Sequence, residues 1–147
     1  APLVSRLSCL RGVSTLTAVS LAVEIGDWRR FSGARIGAYL GLVASESQSR
    51  TRHTRGPITK PGNGHARRLL VEAAWHHRRA HRRSLELERR RAGARPEVRA
   101  RAEAAGMRLH RRWQNLESRR GLRSTIVAVA VARELAGWCW SLAVMDD

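Results

Sequence analysis

Apolar residues recur along the chain at intervals of three and four, the spacing of amphipathic helices, and strand-like alternation is nearly absent. The first such stretch predicts a helix over residues 15–25, capped by Ser14 and ended by Gly26. A second stretch predicts a helix over about 33–43. The residues of the first helix expected to face the core are Leu16, Val19, Ala22 and Val23.

A long polar segment, residues 41–63 (GLVASESQSRTRHTRGPITKPGN), separates these helices from the next. After it, the pattern predicts a helix over 64–83 with arginines around its solvent side. A charge-dense helix is predicted over 96–118, and because its apolar stripe is thin we expect an exposed arm rather than core. An apolar helix follows from 124 to about 145. The sequence therefore predicts a mainly α fold.

Composition and charge indicate the class of partner. The chain has 147 residues, is 43% hydrophobic and carries a formal net charge of +16, which permits one folded core and favours a polyanion such as nucleic acid. Residues 50–123 hold 21 of the 27 arginines, Lys60 and six of the 12 acids, so the whole excess of positive charge lies there. This segregation predicts a binding surface carried on a neutral scaffold.

The cysteines and the apolar C-terminal end exclude other classes. Cys9 and Cys139 form no CxxC motif, so neither a structural zinc site nor a secreted disulfide framework is indicated. Residues 126–145 approach the composition of a membrane span, but Arg133 and Glu134 interrupt them, and we expect a buried helix instead. No membrane association is predicted.

One candidate phosphate-binding element lies near the N-terminus. Residues 10–27 (LRGVSTLTAVSLAVEIGD) resemble a helix-hairpin-helix, in which a glycine turn offers backbone N–H groups to a DNA phosphate. Gly12 and Ser14 would be its phosphate-binding positions, although Ser14 stands where a second glycine is usual. An ordinary capped helix explains the same residues, and the stretch by itself does not decide between the two.

A pair of histidines raises the question of a metal. His77 and His81 lie four residues apart, which on a helix would place them on one face. No acidic residue accompanies them and arginines crowd the same turns, so a basic face is favoured and no metal is predicted.

The polar segment 41–63 offers several candidate nucleophiles and cations. Ser45, Ser47 and Ser49 are hydroxyl candidates, but a serine needs an activating base, and none is evident within the segment. Composition alone therefore indicates a phosphate-binding loop. Its candidate phosphate ligands are Arg50, Arg52, Arg55 and Lys60.

The order of these elements resembles the transposase domain of the 110/116/902 family of insertion sequences, whose transposases are also described as bridge-RNA-guided serine recombinases. The matching features are a G-[IV]-x-x-[LT]-T-A helix, an E-I-G-D turn, A-Y-L-G-L-V, a serine loop, G-x-I-[ST]-K-x-G-N and a basic helix with L-L-V-E-A-A. The ending VARELAGWCWSLAVMDD also resembles a subset of the family. Together these features cover about 85 to 90 residues, and many linked elements in one order favour common descent.

The resemblance implies roles for residues in the loop and the basic helix. Ser49 aligns with the serine that attacks a DNA phosphodiester, and Arg50 replaces the glycine that usually follows it. An arginine at that position puts the local backbone conformation in doubt. The residues expected to position phosphate or the loop are Arg50, Arg52, Arg55, Lys60, Asn63, Arg67, Arg68, Arg78 and Arg79.

The resemblance also implies partners and a division of the chain. Family members carry a RuvC-like domain whose acidic residues bind magnesium, and this sequence contains none. We therefore expect the C-terminal part of a bacterial cytoplasmic, nucleoid-associated recombinase that binds DNA and a guide RNA, forms dimers or tetramers in the full-length protein, and does little chemistry alone. A non-catalytic DNA- or RNA-binding protein, or an inactive transposase remnant, is the alternative. The expected division is a preceding linker or helix (1–10), the serine transposase domain with its catalytic loop at 41–63 (11–83), a basic helical extension (84–123) and an apolar helix packing back on the domain (124–147).

Overall fold

The structure, a computed structural model, describes residues 2–42 and 61–146, with side chains for 2–42 and 64–146. These residues form seven α-helices and no strand, which confirms the mainly α prediction. Short 3₁₀ turns cover Trp28–Arg30 and His76–Arg78, and Asn115–Arg119 is π-helical. The helices are α1 (Pro2–Leu7), α2 (Thr15–Ile25), α3 (Gly33–Tyr39), α4 (Pro61–Trp75), α5 (Leu85–Arg91), α6 (Pro96–Gln114) and α7 (Ser124–Ala143).

The C-terminal helix α7 is the centre of the core. It packs against α1, α3, α4 and α6, and its alanines let those helices approach closely. Among the described residues, α7 alone is long and apolar enough to cross a membrane, but half of its apolar stretch is buried inside the protein. Its burial is that of a core helix, as the charged pair at Arg133 and Glu134 indicated.

Helix α2 has the predicted bounds but buries a different face. The Ser14 hydroxyl accepts a hydrogen bond from the Thr17 amide at 3.2 Å, so the predicted cap is confirmed. The predicted inward face is wrong, since Leu16 is 76% exposed and Val23 75% exposed. The helix is apolar nearly all round, so periodicity could not choose between its faces. The residues that it buries are Ala18, Leu21 and Ile25.

The basic helix α4 is shorter at its C-terminal end than predicted. It ends at Trp75, and Arg82 and Arg83 lie beyond it in irregular structure. Arginines repeated at four-residue spacing repel one another on a helix, which disfavours its continuation. The buried ring of His77 hydrogen-bonds the main chain at Arg11 at 3.0 Å, so the 3₁₀ turn is held by a tertiary contact.

The prediction that residues 96–118 form an exposed arm is wrong. Helix α6 packs along α7, and its narrow stripe is buried in the same core as the other helices. Small residues in the stripe allow this close packing, so few large side chains are needed. The boundaries of the four predicted segments stay predictions, but each segment contributes buried residues to one cluster. The buried residues of α6 are Val98, Ala102, Ala105, Gly106, Leu109 and Trp113.

Basic side chains also hold the turn between α1 and α2. Arg90, Arg91 and His77 hydrogen-bond the main-chain oxygens of residues 8–11, at distances of 2.7 to 3.2 Å. Carbonyl oxygens only accept, so the Nε2 atom of His77 carries the hydrogen. Arg91 is almost completely buried and also pairs with Glu103 at 2.6 Å. These cations of α5 therefore stabilise the fold, and their charge is committed to the turn.

Candidate nucleic-acid interface

The turn between α1 and α2 sits directly on α4. Gly12 has a φ of +90°, and a Cβ built at this position would lie 2.7 Å from the main-chain oxygen of Ala73. Only glycine combines that conformation with so close an approach. Just after it, Ser14 caps α2, and the first turn of any helix leaves N–H groups without partners in the helix. The turn thus orients a helix N-terminus, where anions are favoured.

Three arginines crowd around this turn. Arg11 donates from Nη1 to the main-chain oxygen of Arg79 at 3.1 Å. Burial lowers the pKa of Arg11, and repulsion by the nearby Arg82 and Arg79 lowers it further. In the part of the chain that the structure describes, no carboxylate lies within ion-pair distance of these three guanidinium groups. A bound phosphate would relieve the repulsion among these three guanidinium groups.

We define the hairpin site as Arg11, Gly12, Ser14, Arg79 and Arg82. A hollow of about 390 Å³ is lined by the first three and Arg82, and an adjoining hollow of about 410 Å³ is lined by Arg11 and Arg79. Glu72 and Glu86 also line the first hollow, and Glu86 is paired with Arg90 at 3.0 Å. The structure therefore brings together three of the predicted phosphate ligands (Gly12, Ser14 and Arg79) with two further arginines.

The other predicted cations have different surroundings. Arg78 pairs with Glu117 at 3.2 Å and lies over the ring of Trp75, with 6.0 Å to its centroid. Arg67 donates to the main-chain oxygen of Leu40 at 3.2 Å, at the end of α3. Arg68 is exposed. Arg78 is thus partly neutralised, and Arg67 supports the fold.

The remaining predicted site residues lie outside the described residues. These are Ser49, Arg50, Arg52, Arg55 and Lys60, together with the side chain of Asn63. Their assignments stay predictions that follow from the family resemblance.

Two arginines hold the last described residues before segment 43–60. Arg67 of α4 binds the oxygen of Leu40, and Arg133 of α7 donates to the oxygen of Leu42 at 2.9 Å. We name these four residues the loop stem. Guanidinium groups from two core helices thus hold the main chain at Leu40 and Leu42.

The role of Arg67 in the stem gives a first prediction. We expect Arg67→Ala to lower the free energy of unfolding by about 1 kcal/mol, because a carbonyl loses its donor. Arg68→Ala, one residue further along the same helix, removes an exposed side chain and is expected to change it by less than about 0.5 kcal/mol. Urea denaturation followed by circular dichroism measures both. Equal effects of the two substitutions would contradict a stabilising role for Arg67.

The histidines do not form a metal site. His77 lies in the 3₁₀ turn and contacts Arg11, whereas His81 pairs with Glu103 at 2.8 Å. Burial alone would raise the pKa of Glu103, but hydrogen bonds from Arg91 and His81 outweigh it and the pKa lies below its usual value. Among residues 2–42 and 64–146, no group of three or more His, Cys, Asp or Glu side chains could hold a metal ion. The magnesium that the family resemblance implies is expected in a RuvC-like domain, and that expectation stays a prediction.

Sequence reasoning did not identify Arg11 or Arg133 as site residues. Arg11 directly precedes Gly12, so its position beside a suspected phosphate turn was an available signal. Arg133 is the one basic residue of the apolar helix α7, and only the packing of α7 brings it to Leu42. No local pattern could have predicted that contact.

Comparisons with known proteins agree with the family resemblance that the order of the sequence motifs indicated. A protein-family model described as "Transposase IS116/IS110/IS902 family" matches residues 4–89. A "Putative transposase y4qE" of Sinorhizobium fredii is 43% identical over 144 residues, which cover 97% of this chain and 37% of that protein. The "Transposase for insertion sequence element IS1533" of Leptospira borgpetersenii is 34% identical over 78% of this chain and 34% of its own length.

A "Probable family 20 transposase" of Pseudomonas aeruginosa is 30% identical over 95% of this chain and 35% of its own length. The chain thus spans a little over a third of the length of the curated relatives that it matches. No solved structure matches it. The family model matches more than half of the residues of this chain, so the chain belongs to the IS116/IS110/IS902 family of transposases.

Proposed function

We propose that this chain is the part of an insertion-sequence transposase that binds DNA and supplies the serine nucleophile for strand cleavage and exchange. The observation that carries the DNA-binding half is the hairpin site, where Arg11, Arg79 and Arg82 crowd together without an acidic partner among the described residues. Cations held against their mutual repulsion favour a polyanion, and DNA is the polyanion on which transposases act.

The hairpin site offers a phosphate two kinds of contact. Guanidinium groups of Arg79 and Arg82 can each approach phosphate oxygens with two N–H groups. The N-terminal turn of α2, oriented by Gly12 and Ser14, adds backbone N–H groups and the positive end of the helix dipole. These contacts carry no base information, so they would position a duplex without reading its sequence.

The catalytic half of the proposal rests on the family resemblance of the 43–60 segment. Ser49 Oγ attacks a DNA phosphorus, a bond forms between them, and the bond from phosphorus to one bridging oxygen breaks. The hydroxyl proton passes to a base outside the described residues, and the departing oxygen leaves as a hydroxyl after protonation. A RuvC-like domain, a guide RNA and a dimer or tetramer complete this proposal, with the protein acting in the bacterial cytoplasm at the nucleoid.

Duplex binding gives the test of the first half. We expect Arg79→Gln/Arg82→Gln to lower the slope of log affinity against log salt by about 1.8, which corresponds to about 60-fold weaker binding at 0.1 M salt. Fluorescence anisotropy with a labelled duplex measures both quantities. The control is Arg35→Gln/Arg99→Gln, two exposed arginines outside the hairpin site whose loss removes the same charge. Equal losses in the two double variants would mean that DNA binds by net charge alone, against a hairpin site.

Covalent chemistry gives the test of the second half. With a RuvC-like domain, magnesium and DNA supplied, the chain is expected to form a protein–DNA adduct visible on a denaturing gel. Ser49→Ala is expected to abolish the adduct and to leave duplex affinity within about twofold, since it removes one hydroxyl and no charge. Ser45→Ala is the matched control and should retain the adduct. An adduct that survives Ser49→Ala would refute the assignment, and binding without any adduct would identify a non-catalytic binding protein.

A further inference from the structure

A second basic surface lies between α6 and α7, and all of its lining residues except Gly33 of α3 lie outside the segment matched by the family model. Two adjoining hollows, of about 570 and 480 Å³, share Arg108 and Glu134 in their walls. We name them together the α6–α7 groove. The first hollow is also lined by Arg111, Arg112, Asn115, Ser118 and Arg119.

The charge of this groove is not balanced. Glu134 is its carboxylate, and it lies 3.5 Å from Arg108 Nε and 3.4 Å from Arg112 Nε. Arg111 and Arg119 have no carboxylate within ion-pair distance among residues 2–42 and 64–146. The groove therefore holds five arginines and one acid, and Arg111 and Arg119 remain available to an anion.

The π-helical turn keeps part of this wall directed at the groove. The Arg120 amide donates to the oxygen of Asn115 at 3.0 Å, five residues earlier, so the turn holds one residue more than an α-helix would. Leu116 is buried in the core, and Glu117 accepts from the Trp113 indole at 2.9 Å. These two contacts fix the turn, while its other side lines the hollow. Single π turns are frequent at functional sites.

The other end of the groove reaches the loop stem. The second hollow is lined by Arg133, whose guanidinium holds the oxygen of Leu42, and by the half-buried Trp138. The indole of Trp138 donates to Glu134 at 3.3 Å, which fixes the ring. Gly137 lines the same hollow without a side chain to obstruct it. One continuous surface thus joins the π turn to the residues that immediately precede segment 43–60.

We propose that the α6–α7 groove binds a single strand of DNA and leads it toward the loop stem. Arginines spaced along a groove suit successive phosphates, and a fixed indole offers a face on which one base can stack. A base must leave the duplex stack to lie on that indole, which favours a single strand over a duplex. DNA is favoured over RNA because the groove ends at the stem of the loop that carries Ser49, and this inference rests on the proposed function for that step.

Binding to a single-stranded oligonucleotide tests the proposal. The probe is labelled oligo-dT of about 20 nucleotides, longer than the site of a single binding module. We expect Arg111→Gln/Arg119→Gln to weaken binding about 25-fold at 0.1 M salt and to lower the salt slope by about 1.4, for two lost contacts to a single strand. Arg89→Gln/Arg99→Gln is the matched control, with the same charge change on exposed residues of α5 and α6 that do not line the groove, and less than about twofold weakening is expected.

Photo-crosslinking locates the strand directly. Bromodeoxyuridine-substituted oligo-dT, irradiated on the intact chain, is expected to attach to the peptide that contains Trp138. Attachment only elsewhere, or equal weakening by the two double variants, would overturn the proposal. Loss of oligo-U affinity with oligo-dT affinity unchanged would also overturn it and assign the groove to RNA.

The same experiments separate this proposal from the DNA-binding site above. If Arg79→Gln/Arg82→Gln weakens duplex binding while the groove variant leaves oligo-dT binding intact, only the groove proposal fails. If the groove variant weakens oligo-dT binding and the hairpin variant leaves duplex binding unchanged, only the hairpin site fails.

Discussion

Replacing Gly12 with alanine is expected to lower the free energy of unfolding by about 3 kcal/mol, from two causes that add. The φ of +90° costs a residue with a side chain about 1–2 kcal/mol. The new methyl would also lie 2.7 Å from the oxygen of Ala73, and a main-chain atom of a core helix cannot move aside as a flexible side chain can. Relief of that contact by backbone shifts costs about 1–3 kcal/mol.

Gly26 provides the matched control. It also has a positive φ, +73°, but nothing lies within 4 Å of a Cβ built there. Gly26→Ala is therefore expected to cost only the backbone part of the effect, about 1–2 kcal/mol. Urea denaturation gives both values, and the corresponding fall in melting temperature for Gly12→Ala is about 10 °C. Equal costs at the two glycines would show that the packing of the turn on α4 contributes nothing.

The same variant separates the two roles of Gly12. If the glycine is needed only for the packing of the turn, Gly12→Ala should bind duplex DNA normally at temperatures where it is folded. If the turn also presents N–H groups to phosphate, displacement of that turn should weaken duplex binding even at temperatures where the variant is folded. Anisotropy titrations at low temperature, with circular dichroism to confirm folding, measure the difference.

Acidification is expected to destabilise the protein through His77. Burial lowers the pKa of this histidine to about 3, and repulsion by Arg11, His76 and His81 acts in the same direction. Its Nε2 donates to the oxygen of Arg11, so the neutral ring has an unprotonated Nδ1, which has no hydrogen-bond partner among the described residues. A proton on Nδ1 would place an unpaired charge in the core.

The direction of the effect follows from the two pKa values. In the unfolded chain His77 binds a proton below about pH 6.5, whereas in the folded chain it stays neutral until the pH falls to about 3. Between these limits the unfolded state holds more protons, so stability falls as the pH falls. For His77 alone, the loss between pH 7 and pH 5 is about 2 kcal/mol.

Two histidine substitutions isolate that contribution. His77→Gln keeps a donor for Arg11 and cannot titrate, so its stability should change about 2 kcal/mol less than that of the unsubstituted chain between pH 7 and pH 5. The neighbouring exposed histidine is the control, and His76→Gln should retain the full pH dependence. Urea denaturation at the two pH values measures all three proteins. A pH dependence unchanged by His77→Gln would contradict burial of the neutral ring.

Local signals predicted several elements correctly. The cap at Ser14, the stop at Gly26 and the start at Pro96 depend on side-chain and backbone chemistry within one helical turn, and each is where the sequence placed it. The family match likewise agrees with motifs read in order along the chain. Each of these local signals involves only residues within one helical turn, so the sequence alone was enough to predict them.

Burial was predicted less well. Helix α2 presents apolar residues on most sides, so only its contacts with α1 and α4 decide that Leu21 is buried and Leu16 is not. Helix α6 was expected to be exposed because it is rich in charge, yet its alanines and glycine allow it to pack against α7. In both helices the deciding quantity is the shape of a neighbour, which periodicity does not contain.

The sequence by itself determined the helical class, the basic middle of the chain and the transposase family, because composition, spacing and motif order are properties of the chain alone. Only the tertiary structure decided which cations are free to bind an anion. Arg91 hydrogen-bonds the turn at Cys9 and pairs with Glu103, whereas Arg79 and Arg111 are not paired with an acid among the described residues. A guanidinium has the same charge in either setting, and what separates the two is the partner that folding brings within hydrogen-bond distance.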